Sequence, residues 1–99
     1  NVTLVLKGHV TYVAHPNGLF YENTTGNPGL ATAGTGDVLS GIISGIIAQG
    51  FTPNQATEAA VYLHGLAGDI AADEKTQPGM IASDVIEAIP YALKRISVG

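Results

Sequence analysis

Residues 27–50 read NPGLATAGTGDVLSGIISGIIAQG, and this stretch determines how the rest of the chain is interpreted. Its second half repeats apolar residues at helical spacing and stops at Gly50, which predicts one helix over about residues 36–49. The apolar residues are Val38, Leu39, Ile42, Ile43, Ile46 and Ile47. The opposite face carries only small residues, which predicts that other elements pack closely on both sides of this helix.

The residues just before this helix contain more glycine than a helix start requires. A helix N-terminus exposes unpaired N–H groups and carries a partial positive charge. Gly34, Thr35 and Gly36 would let the backbone approach an anion closely, which makes them a candidate anion hole for phosphate. Asp37 would repel phosphate at the same spot, but its carboxylate could orient or deprotonate an attacking hydroxyl as a general base. The alternative interpretation is that Asp37 only caps the helix, which is worth about 1 kcal/mol.

Strand patterns fill the first part of the chain, and helical patterns fill the rest. Strands are predicted at residues 2–7, 10–15 and 19–23, the first buried on both faces and the other two forming a hairpin around His15-Pro16-Asn17-Gly18. Two further helices are predicted at about 53–74 and 83–96. Strands followed by helices favour a layered α/β fold.

Local signals also predict how the last two helices begin and end. Thr52 is a predicted N-cap, with Pro53 at the first helical position and Gln55 completing a capping box. Ser83 is the predicted cap of the last helix, and Pro90 is expected to break or kink it.

Composition limits the classes of function. The 99 residues are enough for one small domain, and charged residues make up 12%, about half the usual share. So few charges predict a chain buried on several sides, against further sequence or sister subunits. The four basic residues form no basic face and the net charge is −4, which argues against nucleic-acid binding. The chain has no cysteine, no apolar run of membrane-spanning length and no signal-peptide pattern, so a cytoplasmic location is expected.

Four segments together carry a resemblance to a known family: LVLKGHVTYVA at 4–14, TGNPGLATAGTGDVLSGIISGIIAQG at 25–50, AVYLHGLAGDIAADE at 60–74 and MIASDVIEAIP at 80–90. The chain resembles the C-terminal part of the NAD(P)HX dehydratases, nicotinamide-nucleotide repair enzymes with a ribokinase-like fold. The likeness covers nearly the whole chain, so residues 1–99 are expected to be the C-terminal portion of a single dehydratase domain whose N-terminal portion would precede Asn1.

The resemblance implies an activity and assigns residues to it. Such enzymes dehydrate hydrated NADH or NADPH (NADHX or NADPHX) back to NADH or NADPH, coupled to hydrolysis of ADP or ATP with Mg²⁺. Asp37 matches the residue that meets the hydrated nicotinamide, and Gly36 matches a glycine that contacts the nucleotide. The family's nucleotide-binding segment corresponds to Lys7, Gly8, His9, Val10 and Thr11. No metal-ligating side chain and no nucleic-acid or membrane partner are expected, and a homo-oligomer such as a tetramer is expected.

Two other functions stay open at this point. A small-molecule kinase of the same fold would phosphorylate a hydroxyl and keep the product, and a non-catalytic module would bind a nucleotide or mediate oligomerisation. His64 and Asp69 are five residues apart on a predicted helix and do not share a face well, so metal binding by this pair is not expected. His64 is interpreted as a packing residue, and Asn27 as a residue that shapes the turn before the glycines.

Overall fold

The computed structural model describes residues 3–6, 11–27, 30, 34–76 and 79–98. Within these ranges three strands come first: β1 (Leu4–Leu6), β2 (Thr11–Ala14) and β3 (Phe20–Asn23). Three helices follow: α1 (Thr35–Ala48), α2 (Pro53–Lys75) and α3 (Ala82–Val98). The α/β class and the six predicted elements are confirmed, and each helix end lies within two residues of its predicted position. The predicted strand ends at residues 2, 7 and 10 lie outside the described residues.

The strands form an antiparallel sheet in the order β1-β2-β3, with Val13 of β2 opposite Val5 on one side and Tyr21 on the other. The hairpin turn is confirmed, because the Gly18 N–H donates to the His15 carbonyl at 3.0 Å. The prediction that the first strand is buried on both faces is wrong for this chain. Leu4 and Leu6 are 51% and 47% exposed, because alternate residues of a strand point to opposite faces and only the Val5 face packs on the helices.

Helix α2 is the centre of the packing. Val13 of the sheet packs against Leu39 of α1 and against Ala60 and Val61 of α2. A second apolar cluster joins α2 to Met80 and to Val85, Ala88 and Ala92 of α3. The predicted start of α2 is confirmed: the Thr52 hydroxyl accepts from the Gln55 N–H at 3.2 Å, and the Gln55 side chain accepts from the Thr52 N–H at 3.1 Å. Among the described residues, no helix is long and apolar enough to cross a membrane.

The small face of α1 does not have the surroundings predicted for it. Its residues are exposed, and a Cβ placed on either Gly41 or Gly45 would have no neighbour within 4 Å. The apolar face of the same helix packs inward, with Leu39 only 7% exposed. Within the part of the chain that the structure describes, α1 is therefore covered on one side only.

Helix α3 corrects two local predictions. It begins at Ala82, so Ser83 lies inside it, and the carbonyl of Ile81 accepts from the Asp84 N–H at 3.0 Å in the N-cap position. The helix also continues through Pro90 and is not broken there. Proline removes its own bond to the carbonyl four residues earlier, and its ring crowds that carbonyl. That carbonyl belongs to Ile86, and both residues are exposed.

Candidate anion site at the start of helix α1

Helix α1 begins with a backbone turn that favours glycine. Gly34 occupies the N-cap position with φ 92° and ψ −15°, a left-handed conformation that side chains disfavour. A Cβ at this position would lie 3.2 Å from the Cβ of Ala82, so the starts of α1 and α3 adjoin. Glycine at the cap supplies no side-chain acceptor for the N–H groups of the first turn.

Gly36 lies next to open space. It is exposed, and a Cβ added to it would find no atom within 4 Å among its described surroundings. Packing within the described part of the chain therefore gives no reason for glycine at this position. Glycine in the first turn of a helix is what close approach of an anion to the backbone requires.

Asp37 is the third residue of α1 and is exposed. No hydrogen bond or ion pair joins its carboxylate to another residue that the structure describes, and α1 has no side-chain cap. Asp84 occupies the same position in α3, where its carboxylate accepts from the Ile81 N–H at 2.8 Å. Asp37 therefore does not close its helix end by a hydrogen bond as Asp84 does, and its exposed side chain lies in the first turn of α1.

Thr35 is part of the predicted anion hole, but its side chain points inward. It is 2% exposed, and its hydroxyl donates to the Leu30 carbonyl at 2.5 Å. Any contact of Thr35 with an anion would therefore come from the backbone. Its own carbonyl accepts from Nε2 of His64 at 3.0 Å.

His64 is a buried residue of α2, 4% exposed, and the interpretation of it as a packing histidine is confirmed. Nothing in the sequence indicates that its partner is the first residue of α1. Asp69, five residues further along α2, accepts from the Gly26 N–H at 3.0 Å and from Asn27 Nδ2 at 2.8 Å. Asn27 does form the predicted turn, since its carbonyl accepts from the Leu30 N–H at 3.1 Å.

A second polar contact joins the hairpin to α2. The His15 ring, at the end of β2, contacts the carboxylate of Glu58 through Nε2. Burial raises the pKa of the neighbouring Tyr21 hydroxyl, and the Glu58 carboxylate and Tyr62 add to the rise. Among the residues described by the structure, no three His, Cys, Asp or Glu side chains come together as a metal site.

The predicted nucleotide-binding segment is only partly located. Lys7, Gly8, His9 and Val10 lie outside the described residues. Thr11 is the first residue of β2 and pairs with Asn23 of β3. The role of this segment therefore stays a prediction.

Comparison with known proteins places the chain in a family. The model of the NAD(P)H-hydrate dehydratase family matches residues 1–91. A bifunctional NAD(P)H-hydrate repair enzyme of Moorella thermoacetica is 50% identical over 93 residues, which cover 94% of this chain and 18% of that protein. An ADP-dependent (S)-NAD(P)H-hydrate dehydratase of Enterococcus faecalis is 48% identical over 94 residues, which cover 94% of this chain and 31% of that protein.

Solved structures give the same result for the fold. The ADP/ATP-dependent NAD(P)H-hydrate dehydratase of Bacillus subtilis, co-crystallised with ATP/Mg²⁺, superposes with a TM-score of 0.87 at 39% identity and is covered over 34% of its length. A ribokinase-like superfamily protein of Enterococcus faecalis superposes with a TM-score of 0.75 at 47% identity, over 32% of its length. The chain thus has part of a ribokinase-like fold and spans at most 34% of these four relatives. Because the family match extends over residues 1–91, the chain belongs to the NAD(P)H-hydrate dehydratase family.

Proposed function

We propose that the protein containing this chain dehydrates hydrated NADH or NADPH to NADH or NADPH, using ADP or ATP. The family match supports this activity, as do the names of the Enterococcus faecalis and Bacillus subtilis dehydratases reported above. The observation that carries the proposal within this chain is Asp37, an exposed carboxylate in the first turn of α1 that makes no hydrogen bond to a described residue. Residues 1–99 would then form the C-terminal portion of one dehydratase domain.

The two parts of the site would have separate roles. The backbone N–H groups at Gly34, Thr35 and Gly36 would hold the phosphate that is transferred, because the helix N-terminus stabilises the negative charge. Asp37 would accept the proton of the ring hydroxyl while the hydroxyl oxygen attacks the terminal phosphorus of the nucleotide. The bond between that phosphorus and the rest of the nucleotide breaks in the same step. Phosphate leaves carbon more readily than hydroxide does. Its departure, with loss of a proton from the adjacent ring carbon, restores the double bond.

Mg²⁺ fits this site as an ion that arrives with the nucleotide. Protein-bound Mg²⁺ keeps several waters and is held largely by substrate phosphates. The ion would neutralise phosphate charge, and we assign it no ligand in this chain.

The remaining site assignments and the setting of the protein are part of the same proposal. Lys7, Gly8, His9, Val10 and Thr11 would contact the nucleotide, as the family resemblance implies. The sparse charge of the chain and its exposed apolar residues support a homo-oligomer, for which we propose a tetramer. A cytoplasmic location would suit an enzyme that repairs a soluble cofactor.

The test uses the complete protein that contains this chain. It is incubated with NADHX, Mg²⁺ and either ADP or ATP, and the return of NADH absorbance is followed. Recovery with one nucleotide supports the proposal, and no recovery with either contradicts it. Mass spectrometry of the product separates the kinase alternative, which would leave a stable phosphorylated compound. Nucleotide binding without any turnover would instead favour a non-catalytic module.

A further inference from the structure

We infer that helix α2 holds the anion site in position through Asp69 and His64, and that these two residues set the turnover rate without touching substrate or nucleotide. The inference rests on the proposed function, since the site is the one assigned above. It goes further by naming positioning residues outside the glycine-rich stretch.

Asp69 fixes the beginning of the loop that leads to the site. Its two carboxylate oxygens accept separate bonds, one from the Gly26 N–H and one from the side chain of Asn27. Hydrogen bonds to an ionised acceptor are about twice as strong as neutral ones. Gly26 has φ 106°, so the carboxylate holds a backbone turn that few residues adopt. Gly26 is exposed, and water could replace the lost acceptor, so removing the carboxylate should loosen the loop more than it unfolds the protein.

His64 fixes the other end of the same loop. Its Nε2–H donates to the carbonyl of Thr35, the first residue of α1, in a buried setting. Thr35 is also tied to the loop by its hydroxyl, which donates to the Leu30 carbonyl. The start of α1, which carries Gly36 and Asp37, is therefore attached to α2 directly.

Two glycines of α2 bring the loop against the helix backbone between these anchors. A Cβ on Gly65 would lie 2.1 Å from Oγ1 of Thr25, and one on Gly68 would lie 2.6 Å from Cδ2 of Leu30. The hydroxyl of Thr25 donates to the Tyr62 carbonyl at 2.9 Å. The side chains of Thr25 and Leu30 thus lie against the backbone of α2, where Gly65 and Gly68 leave room for them.

This arrangement makes the position of Asp37 depend on α2. Reacting groups must be held closely, since a displacement of about 1 Å can cost about 100-fold in rate. Loosening either anchor would let the first turn of α1 shift relative to the rest of the site. Turnover and nucleotide affinity should then fall while the folded protein persists.

The first experiment compares Asp69→Ala with Asp73→Ala in the complete protein. Asp73 is an exposed carboxylate one turn further along the same helix, so it controls for loss of charge and for the alanine itself. We expect Asp69→Ala to lower kcat by about 10- to 100-fold and to weaken ADP binding, measured by calorimetry, while Asp73→Ala changes neither. Equal kcat and equal ADP affinity in the two variants would overturn the role of Asp69.

The second experiment tests His64 by conservative rescue. His64→Gln keeps an N–H donor at similar reach, whereas His64→Leu keeps the bulk and removes the donor. We expect His64→Leu to lower kcat by about 10- to 100-fold and His64→Gln to keep most of the original kcat, with kcat expressed per folded molecule. Equal loss in both variants would overturn the role of His64. If His64→Leu does not fold, His64→Gln is compared with the unmodified protein, and loss of turnover in the Gln variant overturns it.

The readouts keep this inference separate from the proposed function. If the unmodified complete protein shows no dehydration, the proposed function fails. ADP affinity in the Asp69→Ala and Asp73→Ala pair still reports whether α2 positions the anion site. A purely structural role would lower the melting temperature without changing ADP affinity in the folded fraction, and that result would overturn the inference.

Discussion

Asp37 is the third residue of helix α1, and Asp84 is the third residue of helix α3. The two helix starts adjoin, because a Cβ on Gly34 would nearly touch Ala82. Asp84 reaches back to the Ile81 N–H and closes its helix end. Asp37 makes no hydrogen bond to a described residue.

The residue at the cap accounts for the difference. A carboxylate at the third position can reach back when the N-cap backbone is extended, as in a capping box. Gly34 is left-handed instead, with φ 92°, so its N–H is turned away from that arrangement. The glycine therefore supplies no side-chain cap to α1, and it leaves the exposed Asp37 carboxylate available to a ligand. The same residue type at the same helical position thus stabilises one helix and faces a candidate site in the other.

The largest expected effect comes from replacing Asp37. In the complete protein, Asp37→Asn should lower kcat by about 10²- to 10⁴-fold, because a general base is lost while shape is kept. The melting temperature should fall only slightly, since the carboxylate makes no hydrogen bond to a described residue and loses only its attraction to the helix start. Dehydration rate and thermal unfolding are the measurements, and Asp84→Asn is the matched control. If Asp37→Asn keeps its turnover, Asp37 has no catalytic role that distinguishes it from Asp84.

Replacing the two glycines at the start of α1 should also give different effects, one on nucleotide binding and the other on stability. Gly36→Ala places a methyl group in open space beside the proposed phosphate, so ADP affinity should fall about tenfold, or about 1.4 kcal/mol, with little loss of stability. Gly34→Ala forces a left-handed alanine against Ala82 and should destabilise the fold by about 1–2 kcal/mol. Calorimetry with ADP and denaturant unfolding check the pair. Unchanged ADP affinity in Gly36→Ala would argue against an anion at this position.

How far the sequence predicts these features depends on the range of the interaction. The apolar spacing of α1 and the capping box of Thr52 and Gln55 are local patterns, and both predictions are confirmed. The predictions that Ser83 caps the last helix and that Pro90 breaks or kinks it also rest on local patterns. At both positions tertiary packing outweighs the local preference. The helix starts at Ala82 and continues through Pro90, and it buries Val85 and Ala92 on either side of the proline.

The anchors on α2 were missed because they are long-range. Asp69 meets Gly26 across 43 positions, and His64 meets Thr35 across 29, so no helix periodicity indicates either contact. A signal was present in Gly65 and Gly68, since glycine inside a helix costs stability and indicates close approach by another element. What approaches could not be read from the sequence alone.

Loss of the cap in α3 should have a moderate effect on stability. Asp84→Ala leaves the Ile81 N–H without its acceptor and removes a favourable charge at the helix start, at a cost of about 1 kcal/mol. Denaturant unfolding should detect this cost, and turnover per folded molecule should stay unchanged. Asp37→Ala provides the comparison, with the opposite pattern. A stability loss in Asp37→Ala as large as that in Asp84→Ala would show that both carboxylates stabilise their helices equally.

The smallest expected effect concerns charge alone. An exposed carboxylate beside the first turn of α1 should repel the phosphates of a nucleotide, so Asp37→Asn should bind ADP about two- to threefold more tightly even as it loses turnover. The gain should shrink as salt is added, because screening weakens exposed charges. Calorimetry at low and high ionic strength measures it. Asp84→Asn should gain less, since the Ile81 N–H already shares that charge. If both variants gain equally at low salt, the effect comes from net charge, and Asp37 is no closer to the bound phosphate than Asp84 is.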